Sequence, residues 1–133
     1  MHGAILITGA SSGIGAACAR YLDGMGFTVW AGVRRTEDGE ALARSTSARL
    51  RVLLLDVTDP DSIAAASRTF TEALPEAGLA GLVNNAGISV AGPLELLPLA
   101  EVRTQFEVNV IGALAVTQAL LPLLRLRPLL PRP

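Results

Sequence analysis

One glycine-rich stretch, T-G-A-S-S-G-I-G at residues 8–15, most constrains how this chain folds. It follows an apolar run at 4–7 that predicts a buried strand, and it precedes a run at 16–22 typical of a helix. A strand-to-helix turn of this kind presents free backbone N–H groups and the positive end of a helix dipole to a phosphate. Glycine is required where a Cβ would block that approach. The spacing G-x-x-x-G-x-G differs from G-x-G-x-x-G, so a turn without a ligand remains the alternative.

The length and the amino-acid composition of the chain are typical of a globular protein with one sizeable core. It has 133 residues, 50% of them hydrophobic, as expected for a parallel sheet buried on both faces. A net charge of −1 indicates neither a nucleic-acid nor an anionic membrane partner. The single Cys18 fits a reducing, cytoplasmic compartment, and no metal site is predicted. We also predict no signal peptide and no membrane span, because residues 110–124 are too few to cross a bilayer.

Short apolar runs alternate with helical patterns along the chain. The predicted strands cover residues 4–8, 28–33, 51–57 and 81–85, and the predicted helices cover 13–24, 38–45, 60–74 and 100–124. This alternation predicts an α/β fold, a partial Rossmann-like doubly wound parallel sheet with strand order 3-2-1-4. The domain is expected to span residues 1–124, and 125–133 to form an irregular tail of Arg, Leu and Pro.

Two helices carry further expectations. Asp59 suits the N-cap of the third helix, and Pro60 suits its first position. Pro122 is expected to kink or end the long last helix. Its predicted buried face is Val102, Phe106, Val110, Ala113, Thr117 and Leu120.

Four motifs together resemble the classical short-chain dehydrogenase/reductase family. These are T-G-x-x-x-G-I-G at 8–15, N-N-A-G at 84–87, Asp56 at the end of the third strand, and Asn109 inside the long helix. They occur in the family's order and cover residues 3–124. The resemblance implies a nicotinamide dinucleotide lying across the carboxyl ends of the strands, in agreement with the general rule for open α/β sheets.

The resemblance also implies roles for individual residues. The residues implied to bind the cofactor are Thr8, Gly9, Ser11, Ser12, Gly13, Ile14 and Gly15 at the phosphates and ribose, Asp56 and Val57 at the adenine, and Asn84, Ala86 and Gly87 on the adenosine side. Asn109 is the one implied catalytic residue and would anchor a proton-relay water. Simpler interpretations stay open: Asp56 caps a loop, the two asparagines at 84–85 bond their own turn, and Asn109 is solvated or locally bonded.

Charge at the end of the second strand bears on the choice of cofactor. An acidic residue there accepts the ribose 2′-OH of NAD, whereas arginine binds the 2′-phosphate of NADP. Here Arg34 and Arg35 directly follow the strand, and the nearest acids are Glu37 and Asp38. The sequence therefore favours NADP(H) with Arg34 as the phosphate partner. NAD(H) stays possible, as does a solvated pair of arginines.

The family's remaining catalytic groups, a Ser and a Y-x-x-x-K pair, are not found in the sequence. All eleven Lys plus Arg residues are arginines, and the single tyrosine, Tyr21, lies on the first helix. We therefore expect a C-terminally truncated chain whose last residues are foreign or out of frame, a dinucleotide-binding fragment without turnover. The full-length form is expected to transfer hydride between NADP(H) and a carbonyl or secondary alcohol.

Two expectations concern partners. The loop at 88–98 is rich in Ala, Leu and Val, which favours a small, apolar alcohol or carbonyl substrate. The helix at 100–124 is a dimerisation element in the family, so the resemblance implies a possible homo-oligomer formed through it.

Overall fold

A computed structural model of the chain describes residues 2–127. Its strands are β1 (Ala4–Ile7), β2 (Thr28–Val33), β3 (Leu50–Leu54) and β4 (Leu79–Val83). Its α-helices are α1 (Gly13–Gly24), α2 (Thr36–Ala43), α3 (Pro60–Ala73), α4 (Leu99–Phe106) and α5 (Ala113–Arg125), with a 3₁₀ turn at Leu94–Leu96 and a π-helix at Glu107–Gly112. The strands form one parallel sheet in the order β3-β2-β1-β4, which confirms the predicted Rossmann-like fold.

Apolar side chains cover both faces of the sheet. Leu6 and Trp30 belong to a cluster on one face, where the Trp30 ring meets the Phe70 ring edge-on at 5.0 Å between centroids. Ile7 and Val29 belong to a second cluster. Since consecutive residues of a strand point to opposite faces, the continuous apolar runs of β1 and β2 supply both cores.

The third helix begins as its sequence predicts. The Asp59 side chain accepts a hydrogen bond from the Asp61 backbone N–H at 2.9 Å, and Pro60 occupies the first turn. Ile63 and Phe70 then turn inward and are buried. This cap fixes where the chain leaves the carboxyl edge of the sheet after β3.

The fourth strand lies two residues earlier than predicted. Leu79 belongs to β4 and pairs with Ala4 of β1, and the strand ends at Val83. Likewise β3 ends at Leu54 rather than at residue 57. The polar residues that follow both strands are therefore in loops at the edge of the sheet, where their side chains and amides are available for other contacts.

The predicted buried face of the long helix is wrong in its first half. Phe106 and Val110 are 57% and 49% exposed, and the residues that reach the core are Val116, Leu120 and Leu123. The intervening π-helix adds a residue per turn, so the 3.6-residue periodicity is broken at residues 107–112. The inward face of α5 is therefore out of phase with the face extrapolated from α4.

Pro122 does not end the last helix, which was one of its two predicted effects. Its ring lies on the exposed side, and α5 continues to Arg125. The predicted tail therefore begins inside the helix, and residues 128–133 lie outside the described residues.

Residues 99–125 form one continuous helical segment of 27 residues. By length and composition alone it could cross a membrane, whereas the sequence predicted a shorter apolar stretch. Core helices of soluble proteins pass the same test, and 22% of its most apolar window is buried in the structure. Here the Val116 and Leu120 side chains pack into the core beside α3.

Candidate functional site

A cleft of about 690 Å³ opens at the carboxyl ends of the four strands. Loops after every strand and one face of the long helical segment contribute to its wall. It is lined by Gly9, Ser11, Ser12, Gly13, Ile14, Gly32, Val33, Arg34, Leu55, Asp56, Val57, Thr58, Asn85, Ala86, Gly87, Ile88, Thr104 and Val108. Of the residues predicted for the site, Thr8, Gly15, Asn84 and Asn109 are absent from this lining. The other ten come together here.

The turn between β1 and α1 brings two loops into backbone contact. Gly9 has a φ of +63°, and a Cβ on it would lie 2.7 Å from the Cα of Ala86. A Cβ on Gly15 would meet the carbonyl oxygen of Gly9. Each of the two positions accepts only glycine. The absence of a Cβ at both lets the first turn of α1 pack tightly against the end of β1.

The first turn of α1 is prepared for an anion. Ser12 occupies the N-cap with extended backbone and makes no side-chain cap, and the first turn contains no acidic residue. Within residues 2–127 the backbone N–H groups of residues 13–15 donate to no acceptor. These amides and the helix dipole together form the kind of site that binds phosphate. The Ile14 side chain is 82% exposed at the same place.

The Thr8 hydroxyl joins the loop after β1 to the loop after β4. Its oxygen accepts hydrogen bonds from the backbone N–H groups of Asn85 and Ala86 at 3.0 and 2.9 Å, and it donates to the Val83 carbonyl at 3.4 Å. In return the Asn85 amide donates to the carbonyls of Thr8 and Gly9 at 3.0 and 2.9 Å. Thr8 is thus a buried anchor behind the cleft.

The two adjacent asparagines have different positions. Asn85 lines the cleft, although its neighbour Asn84 was the one predicted to contact the cofactor. The Asn84 amide instead donates to the Thr117 hydroxyl of α5 at 2.9 Å. Alternation along the chain beyond β4 is the signal that separates them, because successive side chains point to opposite sides.

Asp56 lines the cleft and also caps its own turn. Its Oδ1 accepts from the Thr58 hydroxyl at 2.7 Å and from the Thr58 backbone N–H at 2.9 Å. The Thr58 hydroxyl and then the Thr58 amide lower the pKa of Asp56. Burial opposes them with a smaller effect, and the charge of Arg34 lowers the pKa least. Asp56 therefore both caps its loop and lines the cleft.

The two arginines after β2 differ in their partners. Arg35 Nε donates to Asp38 Oδ2 at 3.2 Å across the start of α2. Arg34 lines the cleft and is exposed, and it makes no ion pair within the described part of the chain. One arginine is thus available to a ligand in the cleft, and the other is engaged with a surface acid.

Asn109 fastens the loop that follows β4 to the π-helix. Its Oδ1 accepts from the Ile88 backbone N–H and its Nδ2 donates to the Ile88 carbonyl, both at 2.8 Å. One turn earlier, Gln105 Oε1 accepts from the Val90 N–H at 2.6 Å. Asn109 is therefore neither merely solvated nor bonded locally, since its partner is 21 residues away.

Eight residues that line the cleft were not among the predicted cofactor or catalytic residues, although Ile88 begins the loop that was expected to border the substrate. They are Gly32, Val33, Leu55, Thr58, Asn85, Ile88, Thr104 and Val108. Several of them end or directly follow a strand, and the carboxyl ends of parallel strands share one edge of the sheet. That rule could have found Val33 and Leu55, and spacing of four residues along a helix could have paired Thr104 with Val108.

The sheet order, the glycine turn at a helix N-terminus and the cleft across the strand ends define a Rossmann-type domain. Comparison with known proteins places it more narrowly. The chain belongs to the short chain dehydrogenase family, whose sequence pattern it matches over residues 3–128.

Several members of that family are similar to this chain in sequence or structure. Estradiol 17-beta-dehydrogenase 2 of Mus musculus is 45% identical over 127 residues, covering 92% of this chain and 33% of that protein. Retinol dehydrogenase 16 of Homo sapiens is 44% identical over 122 residues, covering 91% and 38%. The structure of an NADPH-bound carbonyl reductase from chicken fatty liver superimposes with a TM-score of 0.83 at 32% identity, covering 92% and 52%. The chain thus spans 33% to 38% of these curated relatives' length.

Proposed function

We propose that this chain binds NADP(H) across the carboxyl ends of its strands, as part of an enzyme that transfers hydride between the nicotinamide and an alcohol or carbonyl. The observation that carries the proposal is the unpaired first turn of α1 facing a cleft that the glycines at 9 and 15 hold open. The free amides of residues 13–15 would hold the pyrophosphate, with Ser11 and Ser12 at its side. When bound, the cofactor supplies the hydride.

The far wall of the cleft suits the adenine. Asp56 offers a carboxylate oxygen and Val57 offers a backbone N–H that has no acceptor in the part of the chain described. Ala86 and Gly87 would flank the adenosine, with Asn85 fixing their loop. On the other side Ile88, fastened by Asn109, would border the nicotinamide and the substrate.

Arg34 supports a preference for NADP(H) over NAD(H). It lies on the cleft wall directly after β2, and the nearest acids that follow it in sequence, Glu37 and Asp38, are not part of the cleft lining. A 2′-phosphate would find an arginine there, whereas the carboxylate on the cleft wall, Asp56, follows β3 and is held by Thr58. The NADPH present in the similar carbonyl reductase structure is compatible with this choice.

Replacing one arginine at a time tests the preference. Arg34→Ala should weaken NADPH binding at least tenfold, because a charge-assisted hydrogen bond is lost, and leave NADH binding nearly unchanged. Arg35→Ala is the matched control and should change neither, since Arg35 is paired with Asp38. Titration of nicotinamide fluorescence measures both affinities. Equal binding of NADPH and NADH by the unaltered chain contradicts the NADP preference.

The substrate we propose is a lipophilic alcohol or its carbonyl, of steroid or retinoid size. Leu94 and Leu96 are 86% and 73% exposed on the loop that follows the cleft residue Ile88, so this loop offers apolar side chains to a substrate. The names of the similar estradiol and retinol dehydrogenases point to the same chemistry. Assaying the protein made from its native gene with a steroid, a retinoid and a short polar alcohol tests this. A preference for the polar alcohol rejects it.

A second candidate function is dinucleotide binding without turnover. The 133 residues contain no lysine, and Tyr21 is 69% exposed on α1, away from the cleft lining. Saturable NADPH binding without NADPH oxidation in the presence of a lipophilic ketone favours this candidate. Oxidation of NADPH by the 133-residue chain rejects it.

A further inference from the structure

The two carboxylate oxygens of Asp56 are in different situations. Oδ1 accepts two hydrogen bonds from Thr58, through its hydroxyl and its backbone N–H. Oδ2 accepts none from residues 2–127. Both Asp56 and Thr58 line the cleft. The carboxylate is therefore held by one oxygen, and the other remains free to accept from a bound molecule.

The same turn is fastened from behind, independently of the carboxylate. The Asp56 backbone N–H donates to the Ser62 hydroxyl of α3 at 2.9 Å, and the Asp56 carbonyl accepts from the Asp59 N–H at 3.2 Å. The Val57 side chain is buried against the core, so the backbone between Asp56 and Thr58 is fixed. The orientation of the carboxylate within that fixed backbone depends on Thr58.

A free carboxylate oxygen and a free Val57 N–H next to it make an acceptor beside a donor. The 6-amino edge of adenine presents the complementary pair, an amino donor and the acceptor N1. A 6-oxo purine presents the reverse, an acceptor at position 6 and a donor at N1. Discrimination between the two bases requires the carboxylate to keep its orientation.

We infer that Thr58 is a positioning residue that makes this site select the 6-amino purine, because its hydroxyl holds Oδ1 of Asp56 and leaves Oδ2 for the amino group. The inference rests on the proposed NADP(H) site. Without the hydroxyl, Oδ1 keeps only the Thr58 backbone N–H, so the carboxylate is held by one hydrogen bond instead of two and turns more readily toward the charge of Arg34. The lowered pKa of Asp56, caused first by the Thr58 hydroxyl, fits a carboxylate that stays charged.

The test compares NADPH with its hypoxanthine analogue, which differs only in the 6-substituent and N1 of the base. Fluorescence titration of the 133-residue chain should show roughly tenfold tighter binding of NADPH, the size expected for a hydrogen bond to a charged group. Thr58→Val should reduce the preference to about threefold or less, and Thr58→Ser should preserve it. Thr58→Ala, which also lacks the hydroxyl, should behave as Thr58→Val does.

Ser62→Ala is the matched control, because it loosens the same turn without touching the carboxylate. It should weaken both nucleotides by the same factor and leave their ratio intact. The inference is overturned if Thr58→Val and Thr58→Ala keep the unaltered preference, or if Ser62→Ala lowers it equally. Failure of the unaltered chain to bind either nucleotide instead overturns the proposed function, and the inference with it.

Discussion

Asp23 and Asp56 are held in similar ways at opposite ends of the sheet. Asp23 lies in the last turn of α1 and is buried, and it accepts from the Ser47 hydroxyl and from the Ser47 N–H at 2.9 Å. In both residues a neighbouring hydroxyl is the main cause of a lowered pKa. One carboxylate nevertheless belongs to the framework and the other to the cleft.

The difference lies in the oxygen that remains. At Asp23 one oxygen accepts from the Ser47 hydroxyl, the other accepts from the Ser47 N–H, and the Arg49 guanidinium is 3.7 Å from Oδ1. At Asp56 a single oxygen takes both internal hydrogen bonds, so the second faces a ligand site. A depressed pKa therefore marks a stabilised charge, and an unused acceptor in a cleft marks a candidate for recognition.

Asp23→Asn should have the largest effect on stability. The substituted amide places a donor against a hydroxyl or N–H of Ser47, which should cost about 2–4 kcal/mol of the free energy of unfolding. Urea denaturation followed by Trp30 fluorescence measures it. Asp38→Asn, which breaks only a surface pair, serves as the control and should cost under about 1 kcal/mol. The comparison breaks if Asp23→Asn also weakens NADPH binding more than Asp56→Asn does.

Thr8→Val should have the next largest effect on stability. It tests whether Thr8 anchors the structure at the cleft end of the sheet. The change leaves the backbone N–H groups of Asn85 and Ala86 without their acceptor, at a cost of about 1–3 kcal/mol. Hydrogen exchange of these two amides should accelerate, and NADPH binding should weaken because the loop over Gly9 loosens. Thr8→Ser, which keeps the hydroxyl, is the control. Unchanged exchange in Thr8→Val would contradict the anchor.

Asp56→Asn should reverse the pattern of Asp23→Asn. Because Asp56 is partly exposed, the loss of unfolding free energy should stay below about 1 kcal/mol, while NADPH affinity falls roughly tenfold. The same denaturation and fluorescence titrations measure both. A large loss of stability with unchanged affinity would make Asp56 a second framework residue.

The pH dependence of stability should show the smallest effect, but it tests the charge of the buried Asp23 carboxylate directly. Since the folded-state pKa of Asp23 is below the ordinary value of 3.8, its contribution is complete above that pH. The contribution is then lost as the pH falls through the lower folded-state pKa. The difference in stability between the unaltered chain and Asp23→Asn should therefore be constant from pH 5 to 8 and shrink toward pH 3. A constant difference down to pH 3 contradicts this origin.

Much of the fold could be predicted because local patterns and global topology agree. The bounds of α1 and β2, the Asp59 cap and the strand order all follow from apolar runs, glycines and right-handed crossovers. The π-helix could not be predicted, since no local propensity encodes it and its residue Asn109 bonds to Ile88, 21 residues away along the chain. That is why Phe106 and Val110 were assigned to the wrong face.

The candidate site was predictable at the level of segments and less so at the level of side chains. The motifs predicted that the glycine-rich turn after β1 and Asp56 lie at the same edge of the sheet, and in the structure both line the cleft there. They did not distinguish Asn84 from Asn85, whose partners are on different elements. The burial of Asp23 also escaped prediction, because its partner Ser47 is 24 residues further along the chain.

The hydroxyl of Thr8 has a consequence for the order of synthesis. Its two donors, at residues 85 and 86, are 77 and 78 residues further along the chain, with three helices and three strands between them. A nascent chain that has emerged only as far as β3 can form the glycine turn, but it lacks the loop that supports it. Phosphate binding is therefore expected to appear late in translation, in one step with the docking of β4 beside β1.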